Sequence, residues 1–339
     1  MAPAGLILRL AFVGMLLCLT VVALGAYVRL TDAGLGCPDW PTCYGHLAPA
    51  GATNESADAQ FPGGQFDSGK AWREMIHRYA AAALGLVIVV IAALGIVYRQ
   101  ERVVSVPFVI ALLCTVLFQG ALGALTVWWL VKPLVVVLHL LGGLSTLALL
   151  TWLWLTMRRR TGVVPFSGDA TATGALDGAR RLAAIGIVAL GLQIALGGWT
   201  SSNYAALSCP DFPRCQDQWW PANMDFQDAF VLWRGLDVNY TGGVLEHPAR
   251  VAIHFTHRLG AIVATLALCI AALVTLWRAP TALLRHGALW IFAALALQLS
   301  LGILMVLRGF PLGLATAHNA GAALLLVAAI TLNRRLREP

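Results

Sequence analysis

Four histidines in this chain form two matched pairs. His77 and His139 recur as His257 and His318, at offsets of 180 and 179 residues. Two imidazoles on facing helices of a bundle are the axial ligand set of a haem iron. An arginine follows the first member of each pair, giving His77-Arg78 and His257-Arg258. Arg78 and Arg258 could pair with haem propionates or stretch out to lipid headgroups. His254-Phe255-Thr256-His257 also offers imidazoles at i and i+3. It lacks the HExxH arrangement and a neighbouring carboxylate, so zinc is the weaker choice. A di-iron carboxylate centre would need Glu-x-x-His on two helices plus two further glutamates. Only Glu74-Met75-Ile76-His77 fits that pattern.

The repeat puts His254 where Glu74 would recur. One pair alone therefore has a carboxylate a helical turn from its ligand, on the same face. A glutamate inside a membrane could shuttle protons or polarise a substrate. It could equally decorate a helix N-terminus and pair with Arg73 or Arg78. The first pair is thus the candidate for chemistry and the second for a fixed cofactor.

Two cysteine loops accompany the histidines. Cys37-Pro38-Asp39-Trp40-Pro41-Thr42-Cys43 repeats as Cys209-Pro210-Asp211-Phe212-Pro213-Arg214-Cys215, at an offset of 172. Five intervening residues and two prolines make a bridge within each loop feasible, on an oxidising side where disulfides persist. Such bridges would pin loops over the sites or, if redox-active, pass electrons; the spacing leaves both open. Cys18, Cys114 and Cys269 fall in apolar spans and read as packing residues. His46, His247 and His286 fall in loops or at span edges and read as solvated.

What positions these residues follows from composition. The chain has 339 residues, 59% hydrophobic and 12% charged, with a mean hydropathy of +0.77. Soluble domains carry about 25% charged residues, so the chain reads as an integral membrane protein. Disorder and a disulfide-rich secreted module are excluded. Apolar runs long enough to span a bilayer lie near 6–28, 75–98, 104–127, 133–156, 182–200, 251–277, 286–307 and 312–332. The net charge of +7 segregates across them, +9 on one set of connections and −2 on the other. The positive-inside rule then places both termini in the cytoplasm and the two long loops outside. Nucleic acid is not needed to explain the basic excess. Small residues around Ala23 and Ala26 would suit a signal peptidase, but the repeat requires the first span to be kept. The lack of an Arg/Ser-rich transit segment favours a bacterial inner membrane.

The sequence pattern predicts an all-α membrane fold of eight helices, arranged as two pseudo-symmetric four-helix bundles. Residues 1–157 form one half, 158–181 a cytoplasmic linker containing Arg158–Arg160 and Pro165, and 182–339 the other half. Gln119-Gly120-Ala121-Leu122-Gly123 recurring as Gln298-Leu299-Ser300-Leu301-Gly302 strengthens the repeat. Four spans per half make the repeats parallel, related by an axis along the membrane normal. Both histidine pairs then lie within roughly 10 Å of the outer surface. Residues 44–70 read as irregular, and Trp128, Trp129, Trp199, Trp219 and Trp220 as anchors at the outer interface.

The chain resembles the haem A synthase family over nearly its whole length. The resemblance rests on the eight spans, the duplicated halves, Gly36-Cys37-Pro38-Asp39-Trp40-Pro41, Glu74-x-x-His77-Arg78, His139, His257-Arg258 and His318. It implies a membrane oxidoreductase that converts a ring methyl of haem O into the formyl group of haem A for terminal oxidases. It implies haem b on His257 and His318, substrate haem O on His77 and His139, and an essential role for Glu74. Family members vary in their outer cysteines, and a second pair, here Cys209 and Cys215, occurs in only some. The implied route is two hydroxylations to a gem-diol that loses water, or electron removal with water supplying the oxygen. Either route needs one ligand of the substrate haem, His77 or His139, to detach. The implied partners are haem O, the haem O synthase that makes it, an electron donor and membrane lipid, with an oligomer left open. The alternative is a di-haem b-type electron carrier with no chemistry on haem, which matched histidine pairs alone would satisfy. The Glu74/His254 difference and the Cys-Pro-Asp loops argue against it. A repeat-built transporter would expect broken helices at mid-membrane, and a haem O synthase would need Asp-rich motifs that the chain lacks.

Overall fold

The computed structural model describes residues 3–60, 66–162, 176–235 and 238–337. Most of the expected linker, residues 163–175 with Pro165, lies outside the described residues. Eight long helices dominate: α1 (Pro3–Leu30), α2 (Ser68–Val97), α3 (Val106–Trp128), α4 (Pro133–Arg160), α5 (Asp177–Ser202), α6 (His247–Arg278), α7 (Ala282–Leu307) and α8 (Leu312–Arg337). Each is long and apolar enough to cross a bilayer. The chain is a multi-pass membrane protein.

Most of the helices outrun their apolar runs at one end or both, and several are capped there. Asp67 caps α2 by accepting from the Lys70 amide at 2.9 Å, and Thr281 caps α7 through the Leu284 amide. Proline opens α3, α4 and α6, where its missing N–H leaves no helical hydrogen bond unmade. Arginines fill the last turns of α4, α6 and α8, facing the negative end of each helix dipole. Arg160 also donates to the carbonyls of Arg102 and Val103, tying α4 to the α2–α3 connection.

Packing follows the repeat. In the first half α1 touches α2, α2 touches α3, α3 touches α4 and α4 returns to α1; α5 to α8 close the same circuit. The histidine-bearing helices, α2 with α4 and α6 with α8, therefore stand diagonally across each circuit. Between halves, α4 meets α8, α1 meets α8 and α4 meets α5. One apolar core runs through both halves, from Ile7 and Ile88 to Ile291 and Leu332. At the loop end, residues one repeat apart touch each other. Arg29 Nη2 donates to the Ser201 carbonyl at 2.6 Å, and the Tyr204 hydroxyl donates to Asp32 at 2.7 Å.

Two expectations change here. Residues 44–70 are less irregular than their composition implies, since 49–51 form a 3₁₀ turn and Asn54–Gln60 a short helix. Trp199 is buried, its indole donating to the Ala229 carbonyl at 2.9 Å beneath the second long loop. That loop folds back over the helix ends and removes Trp199 from the interface, whereas Trp128, Trp219 and Trp220 stay exposed.

Arg29 ties the end of α1 to the end of α5 and the residues just after it, since its guanidinium also lies 4.2 Å over the Tyr204 ring. Arg29→Ala is expected to destabilise the protein by about 2 kcal/mol, the value of a charged hydrogen bond plus a cation–π contact. A thermal melt in detergent micelles checks it, and an unchanged midpoint would exclude this role.

Candidate functional site

Each cysteine loop is a rigid cap. Cys37–Cys43 and Cys209–Cys215 are disulfide-bonded, with Cα atoms 4.7 Å apart in both. Inside the first, the Asp39 carboxylate accepts from the amides of Tyr44 at 2.6 Å and Gly45 at 2.9 Å and from the Thr42 hydroxyl. Asp211 does the same for the amides of Gln216 at 2.7 Å and Asp217 at 2.9 Å. Partial burial pushes the Asp39 carboxyl up, but the Thr42 hydroxyl and the Gly45 and Tyr44 amides outweigh it and hold the group below its ordinary value.

The caps are fastened to α2 and α6 through the arginines. Arg78 donates to the carbonyls of Asp39 at 2.9 Å and Thr42 at 2.7 Å. Arg258 donates to those of Arg214 at 2.6 Å and Cys209 at 2.8 Å. Both guanidiniums thus sit beneath their loops and satisfy loop carbonyls.

Glu74 is the buried centre of the first cap. One carboxylate oxygen accepts from Arg78 Nη2 at 2.6 Å, and the other from the Cys37 amide at 2.9 Å. Only 4% of the residue is exposed, so the pair is dry and the charge needs both partners. Its partner is Arg78, while Arg73 turns back to the Gly69 carbonyl. In the second half the same place holds His254, 3.3 Å from Arg258 Nε. Gly36 makes the first arrangement possible. A Cβ there would come within 2.8 Å of the Lys70 and Ala71 backbones.

The four histidines of the two pairs occupy equivalent seats. Each ring lies against a glycine of a neighbouring helix, where a Cβ would come 3.0 Å from His77 (Gly25), 3.4 Å from His139 (Gly123), 3.1 Å from His257 (Gly197) and 2.9 Å from His318 (Gly302). All four residues are half-buried, so the rings are set among helices without being sealed by them. No group of three His, Cys, Asp or Glu side chains converges among the described residues. Two diagonal imidazoles per half suit an ion that brings its other ligands with it, as iron in a porphyrin does. His46, His247 and His286 are exposed, as expected. Of the lone cysteines, Cys18 is buried in the core and Cys114 is exposed on α3.

Residues 8–330 match the profile of the cytochrome oxidase assembly proteins, COX15-CtaA. The chain belongs to this family. It is 43% identical over 318 residues to a protein of Shewanella oneidensis named "Heme A synthase", covering 93% of this chain and 92% of that one. Proteins of the same name from Chelativorans sp. and Paracoccus denitrificans are 28% and 27% identical, covering 90% and 94% of this chain and 84% of each relative.

In this COX15-CtaA protein, reasoning from residue types found the histidines, Glu74 and the cysteines but not their neighbours. It took Gln119, Gly123, Gln298 and Gly302 only as marks of the repeat, and it missed Gln193 and, behind the rings, Gly25 and Gly197. The three glutamines lie beside His139, His257 and His318. The signal was available for most of them, because Gly25/Gly197 and Gly123/Gly302 recur at 172 and 179 residues. A test of the cap is Gly36→Ala, which sets a methyl against backbone that cannot yield. The Cys37–Cys43 loop should lift from α2, and an added membrane-impermeant phosphine should reduce that bridge at least several-fold faster. An unchanged rate would show that the loop does not depend on this contact.

Proposed function

We propose that this chain is a haem A synthase, an oxidoreductase that turns a ring methyl of haem O into the formyl group of haem A. The observation that carries the reading is the inequality of two otherwise matched sites. Only the site of His77 and His139 has a buried carboxylate, Glu74, fixed between Arg78 and the Cys37 amide. In this reading His77 and His139 bind haem O as substrate, and His257 and His318 hold a resident haem b. The glycines behind each ring leave space for imidazoles and no larger side chain, which fits the assignment. Haem b, when bound, supplies one-electron redox chemistry.

The chain's own groups do the rest. The two halves, 1–157 and 182–339, act as pseudo-symmetric four-helix bundles about an axis between α4 and α8, consistent with Arg29–Ser201 and Asp32–Tyr204 meeting one repeat apart. Arg78 and Arg258 anchor the disulfide loops over the sites, and the loops exclude water from them. Propionates then fall to the loops' own donors and to whatever of each guanidinium stays free. Glu74 holds or moves a proton at its carboxylate beside the reacting edge of the substrate. Arginine-rich helix ends lie opposite the loops, supporting cytoplasmic termini in a bacterial inner membrane and sites facing outward. A haem O synthase supplies the substrate, and an electron donor supplies the reducing equivalents that each hydroxylation with dioxygen consumes.

Glu74→Gln tests the reading: glutamine keeps an acceptor for the Cys37 amide but loses the charge, the titratable proton and the acceptor that Arg78 Nη2 uses. Haem content is therefore read beside the rate. Purified variant should show the native Soret band and make haem A about 10²–10⁴-fold more slowly from supplied haem O. Native haem content with a native rate of haem A formation would remove Glu74 from the mechanism. Unchanged haem O with wild-type protein would overturn the reading itself.

A further inference from the structure

Three of the four histidines share a clamp that the fourth lacks. Gln119 of α3 places Nε2 2.7 Å from the His139 carbonyl oxygen and 3.4 Å from its Nδ1. Gln193 of α5 places Nε2 3.0 Å from both the carbonyl oxygen and Nδ1 of His257. Gln298 of α7 places Nε2 3.3 Å from both Nδ1 and Nε2 of His318. In each case a glycine stands three residues beyond the histidine. A Cβ at Gly142, Gly260 or Gly321 would come 2.2, 2.4 or 2.4 Å from the glutamine Oε1. The unit is therefore His-x-x-Gly on one helix facing glutamine on the next. His77 has Ala80 at the glycine position, and Val21 stands one repeat before Gln193. The Val21 carbonyl faces the His77 ring, yet His77 Nδ1 is buried with no hydrogen-bond partner.

The three glutamines also carry an unused acceptor. Oε1 of Gln119, Gln193 and Gln298 is buried without a donor. An imidazole that ligates through Nε2 bears its proton on Nδ1 and needs an acceptor there. With Nε2 held by the histidine's own carbonyl in Gln119 and Gln193, Oε1 is the acceptor available to that proton. A hydrogen bond of this kind fixes the ring and makes it a stronger ligand.

We infer that Gln119, Gln193 and Gln298 are positioning residues that lock His139, His257 and His318 onto iron, and that His77 is the ligand that releases. The inference rests on the proposed function and deepens it. Two clamped ligands suit a haem that stays; one clamped and one free suit a haem that passes through. Release of His77 opens the coordination position on the side of α2, the helix that carries Glu74.

Carbon monoxide reads this directly, since it binds ferrous haem only where an axial position opens. The probe is CO added to the reduced, haem-loaded full chain, followed at the Soret band. In the native protein one haem should take CO at least tenfold faster than the other. Val21→Gln with Ala80→Gly builds the clamp at His77 and should slow that binding about tenfold, the effect of one hydrogen bond. Gln193→Val with Gly260→Ala removes the clamp at His257 and should make the second haem react about tenfold faster. Rates are compared per bound haem, so reduced loading of a variant does not mask the result. CO rates unchanged by both pairs of substitutions would overturn the inference even if haem A is formed. Rates that move as stated in a protein forming no haem A would leave the clamp standing and refute the proposed activity instead.

Discussion

A polar side chain inside a membrane has no water to fall back on, and that constraint organises this molecule. Every buried donor or acceptor must find its partner on a neighbouring helix or in a loop folded against one. Glu74 meets it with Arg78 and the Cys37 amide. Arg78 and Arg258 meet it with the carbonyls of the disulfide loops. The caps are therefore part of the electrostatics of the helices beneath them. Among the groups left unpaired, His77 Nδ1 and the three glutamine oxygens stand beside the histidines proposed to hold haem.

Glycine is the means by which the partners come close enough. Behind each histidine of the two pairs, and beside each of the three glutamines, a helix backbone gives up its Cβ so that a planar group can lie against it. This is the usual way membrane helices approach one another, here used to seat imidazole and amide instead of another helix. Substitution of any of these glycines would act on the ring or amide it supports before it acted on the fold.

Much of this was legible in the sequence because the chain repeats itself. Hydropathy marked all eight helices, and the offsets of 172, 179 and 180 paired the cysteines, histidines and Glu74/His254 without reference to coordinates. The bridges were expected and are present. What could not be read was the direction of side chains. Arg78 and Arg258 looked free to meet an anion, because nothing in their position revealed that they point at loop carbonyls 36 to 49 residues away in sequence. Trp199 looked interfacial because the loop that covers it has no hydropathy signal. Gln119 and Gln298 served as marks of the repeat, and nothing in the spacing showed that their amides reach histidines.

The partition between the two halves has a consequence for wiring. α4 and α8, which carry His139 and His318, are in direct contact, so the wall separating the two pockets is a single helix–helix interface, about 8–10 Å between axes. If both histidine pairs hold haem as proposed, reducing equivalents admitted to one half have that single interface to cross, with no diffusing courier between them.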